Sequence, residues 1–225
     1  MKKNKFKITD NSFWISTGDL MAGILFIFVL LFIVQLLSVQ SQLETKEKII
    51  EELATVKNKI IENLSGEFKE DNLKIKINPK DGSIELDEKI LFDNNKSDLK
   101  PQGKAYLKEF IPKYVKLILG DKDIREHIDV ILIEGHTDDV GSYFYNLELS
   151  QKRSYSVVNY IFNQMEDFEY KDLLKKYITA NGRSSVKLKY KKDGSVDRNK
   201  SRRVEFQFKL KNDEALEKVL KTLEK

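Results

Sequence analysis

Leu20 to Leu43 is a run of 24 residues without a charged side chain. As an α-helix rising about 1.5 Å per residue it extends about 36 Å, more than the roughly 30 Å of a bilayer's hydrocarbon core. Leu, Ile, Phe and Val dominate from Ile24 to Leu37. Charge is segregated around this run. Asn11–Leu43 carries one charged side chain, Asp19, whereas the chain from Glu44 onward carries 70 of the 76. A plain soluble globule is excluded. Lys2, Lys3, Lys5 and Lys7 form the basic region that a cleaved signal peptide would have, but the apolar run exceeds the roughly 7–15 residues of a signal core and no small-x-small cleavage site follows it. The span is therefore expected to be retained. The four lysines precede it, while Lys46 and Lys48 are offset by Glu44 and Glu47. The positive-inside rule then puts the N-terminus in the cytoplasm and everything after residue 43 outside.

Two readings of Asp19 stand. If the helix starts there, Asp19 is a hydrated interfacial residue, with Trp14 beside it at the headgroups. If Phe13–Gly18 are already helical, Asp19 lies one to two turns deep, where an ionisable group costs a few kcal/mol and is usually retained for ion or proton movement. Gly18, Ala22 and Gly23 flank it and allow close approach of another helix.

The remaining composition removes whole classes of function. With 225 residues there is room for one packed core and an appendage. Lys and Arg number 40 against 36 Asp and Glu, a net charge of +4, so no basic excess points to direct nucleic-acid binding. There is no cysteine, which excludes disulfides, thiolate nucleophiles and thiolate metal sites, and two histidines do not make a histidine-rich metal centre. No cofactor or metal is expected.

After the span, Ile49, Leu53, Val56 and Ile60 recur at spacings of 4, 3 and 4, a helical stripe with charges on the other faces. Either it pairs with a second copy as a short parallel coiled coil, making the protein a homodimer, or it packs on its own domain. Ser65-Gly66 is expected to break this helix. From Leu73 the period becomes two, as in a strand, with a turn at Asp81-Gly82 and a return strand at 83–86. Leu99–Leu119 has a helical period that Pro112 is expected to kink or divide. Ile128–Ile133 is a buried strand, Leu147–Phe162 a helix, Tyr177–Ala180 a strand leading to Gly182, and Val204–Leu210 a last alternating strand. The fold class is α+β: a membrane helix, a helical linker, then a β-β-α-β-α-β domain whose mixed sheet is covered on one side by helices. The expected segments are a cytoplasmic tail 1–12, the membrane helix 13–43, the linker 44–65, the domain 66–211 and a helical tail 212–225.

Residues 133–153 read IEGHTDDVGSYFYNLELSQKR, 91–99 read LFDNNKSDL and 201–206 read SRRVEF. In that order they resemble the OmpA/MotB-type peptidoglycan-binding family, whose pattern is F-D-x-x-S-x-x-L, then GHTDxxG with N, LS and R, then N-R-R-V-E. The match covers about residues 75–210. Ser154 replaces the usual Ala and Ser201 the usual Asn. The resemblance implies a cleft for a peptidoglycan stem peptide, whose diamino acid carries an ammonium and a carboxylate. Asp138 would accept the ammonium and Arg153 would hold the carboxylate bidentately. Asn146 would line the cleft, and Thr137 and Asp139 would support it. Both Asp138 and Arg153 are expected on the surface. Gly135 and Gly141 suit sharp turns in the loop. The sequence sets no nucleophile or paired acid with His136, so the domain is expected to bind the wall and not to hydrolyse it. The basic run 187–192, with Tyr190 among its lysines, reads as a solvated loop.

A basic tail, one membrane helix with an acid near its start, a helical linker and a wall-binding domain occur together in B subunits of ion-driven stators. The segment WISTGDLMAGILFIFVLLF resembles the flagellar members and, more closely, those of Zorya-type anti-phage defence. That resemblance implies that Asp19 carries H+ or Na+ and that an A-type membrane subunit ring (MotA- or ZorA-like) is the partner. The alternatives are a flagellar stator B subunit and a passive envelope tether, although this chain has neither the lipobox cysteine nor the barrel that such tethers usually have.

Overall fold

The computed structural model describes residues 10–69 and 75–212. The expected helical tail after residue 212, most of the N-terminal tail and the beginning of the strand at Leu73 lie outside the described residues. The chain forms two compact units, residues 1–51 and 52–225.

The first unit is helical. Helix α1 runs from Asp10 to Lys69 and its first part contains the apolar run. It is long and apolar enough to cross a membrane, and its apolar run is exposed. Because α1 begins at Asp10, Asp19 sits more than two turns inside the helix, so it does not start it.

The second unit begins with the end of α1. Leu53, Lys57, Ile60, Leu64 and Phe68 are buried there. Their spacings of 4, 3, 4 and 4 make one helix face, and Phe68 packs on Phe110 with ring centroids 5.5 Å apart. Lys59 to Asp121 at 2.8 Å and Glu52 to His127 at 3.2 Å tie the rim. Of the four seam residues expected from the sequence, Leu53 and Ile60 are covered by their own domain, Val56 is half-buried and Ile49 belongs to the first unit. The expected break at Ser65-Gly66 is absent, since the helix continues to Lys69. A helical glycine costs about 1 kcal/mol, and burying Phe68 contributes about 1.5–3 kcal/mol in return.

The sheet contains β1 (Lys76–Ile77), β2 (Ile84–Asp87), β3 (Ile128–His136), β4 (Ile178–Gly182) and β5 (Arg203–Leu210) in the order β1-β2-β5-β3-β4. The β3–β4 pair is parallel and the others are antiparallel, so the sheet is mixed. Side chains alternate faces along a strand. Ile131 and Ile133 of β3 and Val204, Phe206 and Phe208 of β5 form the apolar face. Helix α3 (Pro101–Leu119) covers it through Phe110, which meets Phe206 edge-on at 5.0 Å. Pro112 neither divides α3 into two helices nor ends it. It removes one hydrogen bond to the carbonyl of Lys108, on the exposed side where water can replace it, while Leu107, Ile111, Tyr114 and Val115 stay buried on both sides of the proline.

Helix α5 (Tyr143–Asn163) packs against β3 and β4. It begins four residues before the apolar period does, because Ser142 caps it by accepting from the Tyr145 amide. Gly135 is part of β3, and a Cβ there would stand 2.2 Å from the Ser150 carbonyl. It therefore serves close approach of α5 to the sheet and not the turn expected of it. Gly141, at φ +98°, does make the turn.

Candidate functional site

The site is built where β3 ends and α5 begins. The loop after His136 carries Thr137 and Asp138, α5 presents Asn146 and Arg153, and two further short helices complete the walls. These are α2 (Glu88–Leu91), capped by Asp87, and α7 (Arg198–Ser201), capped by Asp197. They enclose a cleft of about 310 Å³ lined by Glu88, Thr137, Asp138, Asn146, Arg153, Arg198 and Arg202, with Tyr145 and Leu149 at its side.

Four of the five wall-binding residues expected from sequence line this cleft: Thr137, Asp138, Asn146 and Arg153. Asp139 is not among the lining residues; its carboxylate accepts from Arg198 Nε at 2.8 Å and Nη2 at 3.3 Å. The expectation that Asp138 and Arg153 lie on the surface is corrected. Arg153 is 2% exposed and Asp138 7%. Nη1 of Arg153 pairs with Glu88, its Nε donates to the Lys96 carbonyl at 3.0 Å, and its guanidinium lies 5.4 Å from the Phe92 ring centroid. Arg202 joins the two acids: its Nε is 2.8 Å from Glu88 and its Nη1 2.5 Å from Asp138. The result is an alternating chain of Arg153, Glu88, Arg202 and Asp138. Burial pushes the Glu88 carboxyl up while Arg153 and Arg202 pull it back, and burial likewise lowers the Arg153 guanidinium against the charge of Glu88.

Asp138 is also fixed by the Val140 amide, 3.0 Å from Oδ1. Asn146 donates to the Val140 carbonyl at 3.0 Å and so holds the same loop. The Thr137 hydroxyl is buried without a hydrogen-bond partner in a wall of the cleft. An unpaired buried hydroxyl is costly. The cleft thus combines fixed charges of both signs, which suits a small zwitterionic group. Sequence reasoning missed Glu88, Arg198 and Arg202. Arg202 lies inside the SRRVEF motif without any spacing that reveals a role, and nothing local marks Glu88. Ser201, where the family has Asn, is fully buried and ties Lys189 to α7, accepting from its amide at 3.0 Å and donating to the Asp197 carbonyl at 2.8 Å.

The polar face of the sheet holds a second cluster. Glu134, His136 and Glu205 place potential ligand atoms within 4.8 Å of one another. The carboxylates are already met by cations and donors. Lys187 Nζ is 3.2 Å from Glu134, Arg203 Nη2 is 3.1 Å from Glu205, and Gln207 donates to both. A divalent cation would add charge to a balanced cluster, so no metal is assigned to it. His136 is fully buried, and neither ring nitrogen has a well-aligned hydrogen-bond partner, although Nε2 lies 3.2 Å from Glu205. Burial holds the imidazole below its ordinary value against the pull of Glu205. Burial pushes Glu205 up, but His136 and Arg203 outweigh it and leave its pKa at about 2.

Both shifts have the same sign for stability. A histidine kept neutral by the fold stabilises above its unfolded pKa, and this is lost as pH falls below it. Glu205 stabilises above the ordinary glutamate range by roughly 3 kcal/mol, lost between about pH 4.5 and about pH 2. The melting temperature of the full chain in detergent is expected to fall from pH 7 to pH 5 and again below pH 4. His136→Gln should flatten the first step; an unchanged first step would assign it to another group.

Residues 91–202 match the OmpA family. The Zorya protein ZorB of Escherichia coli strain Crooks is 32% identical over 221 residues, covering 89% of this chain and 88% of that protein. ZorB of Escherichia coli O139:H28 is 29% identical over 154 residues, 68% of this chain and 62% of that protein. Among solved structures, the periplasmic domain of Helicobacter pylori MotB aligns over 66% of this chain and 88% of that one, at 21% identity and a TM-score of 0.45.

Proposed function

The chain belongs to the family of the Zorya protein ZorB, and from that premise we propose that it is the B subunit of an inner-membrane, ion-driven motor complex in Zorya-type anti-phage defence. The observation that carries this reading is the extent of the likeness. A match over 89% of the chain includes at least half of the 51-residue first unit as well as the cell-wall domain. A tether would need only the domain.

In this reading the apolar part of α1 spans the membrane with its N-terminus in the cytoplasm, and Asp19 carries the translocated ion, H+ or Na+. The partner is a ring of A-type membrane subunits, and a second copy of the chain stands beside the first. The domain lies outside the membrane and holds a peptidoglycan stem peptide in the cleft at Asp138, Asn146, Arg153 and Thr137. It acts by binding, without hydrolysis. The buried charge chain supports this role physically, since groups fixed by mutual pairing meet a ligand without reorganising.

The test is co-expression with an A-type membrane subunit. The full chain is expected to co-purify with that subunit, to sediment with purified sacculi and to protect cells from phage. A chain that sediments with sacculi yet neither co-purifies nor protects is a passive tether.

A further inference from the structure

Three guanidinium groups line the cleft, and they are not equally available to a ligand. Arg153 is almost fully buried on Glu88 and the Lys96 carbonyl. Arg202 is held between Glu88 and Asp138, with its Nη2 on Asn199 at 2.7 Å. Drawing either one toward a ligand uncovers a buried carboxylate, which is strongly unfavourable. Arg198 differs. Its side chain is 57% exposed and lines the cleft from α7, so it stands at the mouth. Its counter-ion, Asp139, is 34% exposed and is not part of the cleft wall. The pair is bidentate, so Arg198 is already oriented to grip the two oxygens of a carboxylate. An exposed pair of this kind contributes little by itself, and Asp139 returns to water when released. Exchanging one carboxylate for another at Arg198 leaves no buried charge alone.

We propose that Arg198 is a specificity-determining residue that takes a free carboxylate of the ligand at the mouth of the cleft, and that Asp139 is the competitor it gives up. This rests on the reading of the cleft as a stem-peptide site and deepens it. It names the preferred ligand as a stem peptide that ends on its diamino acid with the terminal carboxylate free. It also reverses the supporting role expected of Asp139 from sequence.

The experiment is calorimetric titration of the full chain in detergent micelles with two tripeptides. One is a stem tripeptide ending in the free carboxylate of its diamino acid, and the other is the same peptide ending in a carboxamide. The wild type is expected to prefer the acid form by roughly tenfold, the scale of one charge-assisted hydrogen-bonded pair. Arg198→Gln should remove that preference by weakening the acid form alone, and Arg198→Lys should keep part of it. Asp139→Asn should bind the acid form about two- to threefold more tightly, because the competitor is gone. The sign separates the proposal from a structural role. If the pair merely braced the loop, Asp139→Asn would weaken binding in parallel with Arg198→Gln, and that result overturns the proposal. So does an Arg198→Gln variant that binds the acid form like the wild type, and this outcome leaves the stem-peptide site standing. A wild type that binds neither tripeptide removes the site itself and the proposal with it. Both positions are exposed, so neither substitution threatens the fold.

Discussion

Asp19→Asn is expected to reduce phage protection to the level of cells lacking the protein, with the A-type partner still co-purifying. Asn is close to isosteric with Asp, so helix packing survives, but it neither releases a proton nor binds a cation as a carboxylate does. Asp19 lies inside α1, nine residues after the helix begins. In a membrane-spanning helix a carboxylate is costly to keep ionised away from water, and neutralisation by an ion changes which contacts with a neighbouring helix are favoured. The membrane potential contributes about 2.3 kcal/mol per charge per 100 mV, several times thermal energy, and makes such a change directional. Normal protection by the Asn variant leaves only the tether reading. Loss of co-purification instead makes Asp19 a packing residue.

Arg153→Ala should destabilise the domain as well as abolish retention on sacculi. Removing one partner of a buried pair leaves an uncompensated charge, at a cost of about 3–5 kcal/mol. Arg202 still meets Glu88 at 2.8 Å, which favours the lower end. For a domain of this size about 3 kcal/mol corresponds to a drop in melting temperature of roughly 6–12 °C. Lost binding by Arg153→Ala therefore does not separate recognition from folding. The double variant Glu88→Gln with Arg153→Met does, because replacing both charges by groups of similar size is often neutral for stability. It is expected to melt near the wild type and to stay in the supernatant when sacculi are pelleted. A double variant that pellets like the wild type removes Arg153 from recognition, and a wild-type melting temperature for Arg153→Ala contradicts the buried pair.

Much of this architecture was legible locally. A charge-free run long enough for a bilayer is a property of consecutive residues, and so are the two-residue alternation of Val204–Leu210 and the 3–4 spacing around Leu53 and Ile60. The strand and helix order of the domain followed from those periods. The family resemblance also brought out Thr137, Asp138, Asn146 and Arg153, four residues that one cleft does unite. Local rules failed where a neighbour in space overrode them. Gly66 and Pro112 are helix breakers by propensity, yet helices pass through both because Phe68 and the residues flanking Pro112 are buried by the rest of the domain.

What only the tertiary structure decided is which charges belong together. Glu88 and Arg153 stand 65 positions apart, and Asp138 and Arg202 stand 64 apart. No period or motif spacing carries information over such separations. The pairing arises because β5 lies antiparallel to β3, with His136 opposite Arg203, so the residues just beyond the strand, Thr137 and Asp138, come level with Arg202. The sequence by itself determined an apolar helix long enough to cross a membrane, with Asp19 in it, an α+β domain and a set of candidate ligand-binding residues. The registers of β5 with β3 and with β2 brought Asp138 and Glu88 to Arg202, and the packing of α5 and α7 on the sheet added Arg153 to that buried chain and left Arg198 exposed at the cleft's mouth. A hydrophobic pattern needs only a segment's own periodicity to be expressed, whereas an ion pair exists only after the fold has brought its partners within about 4 Å.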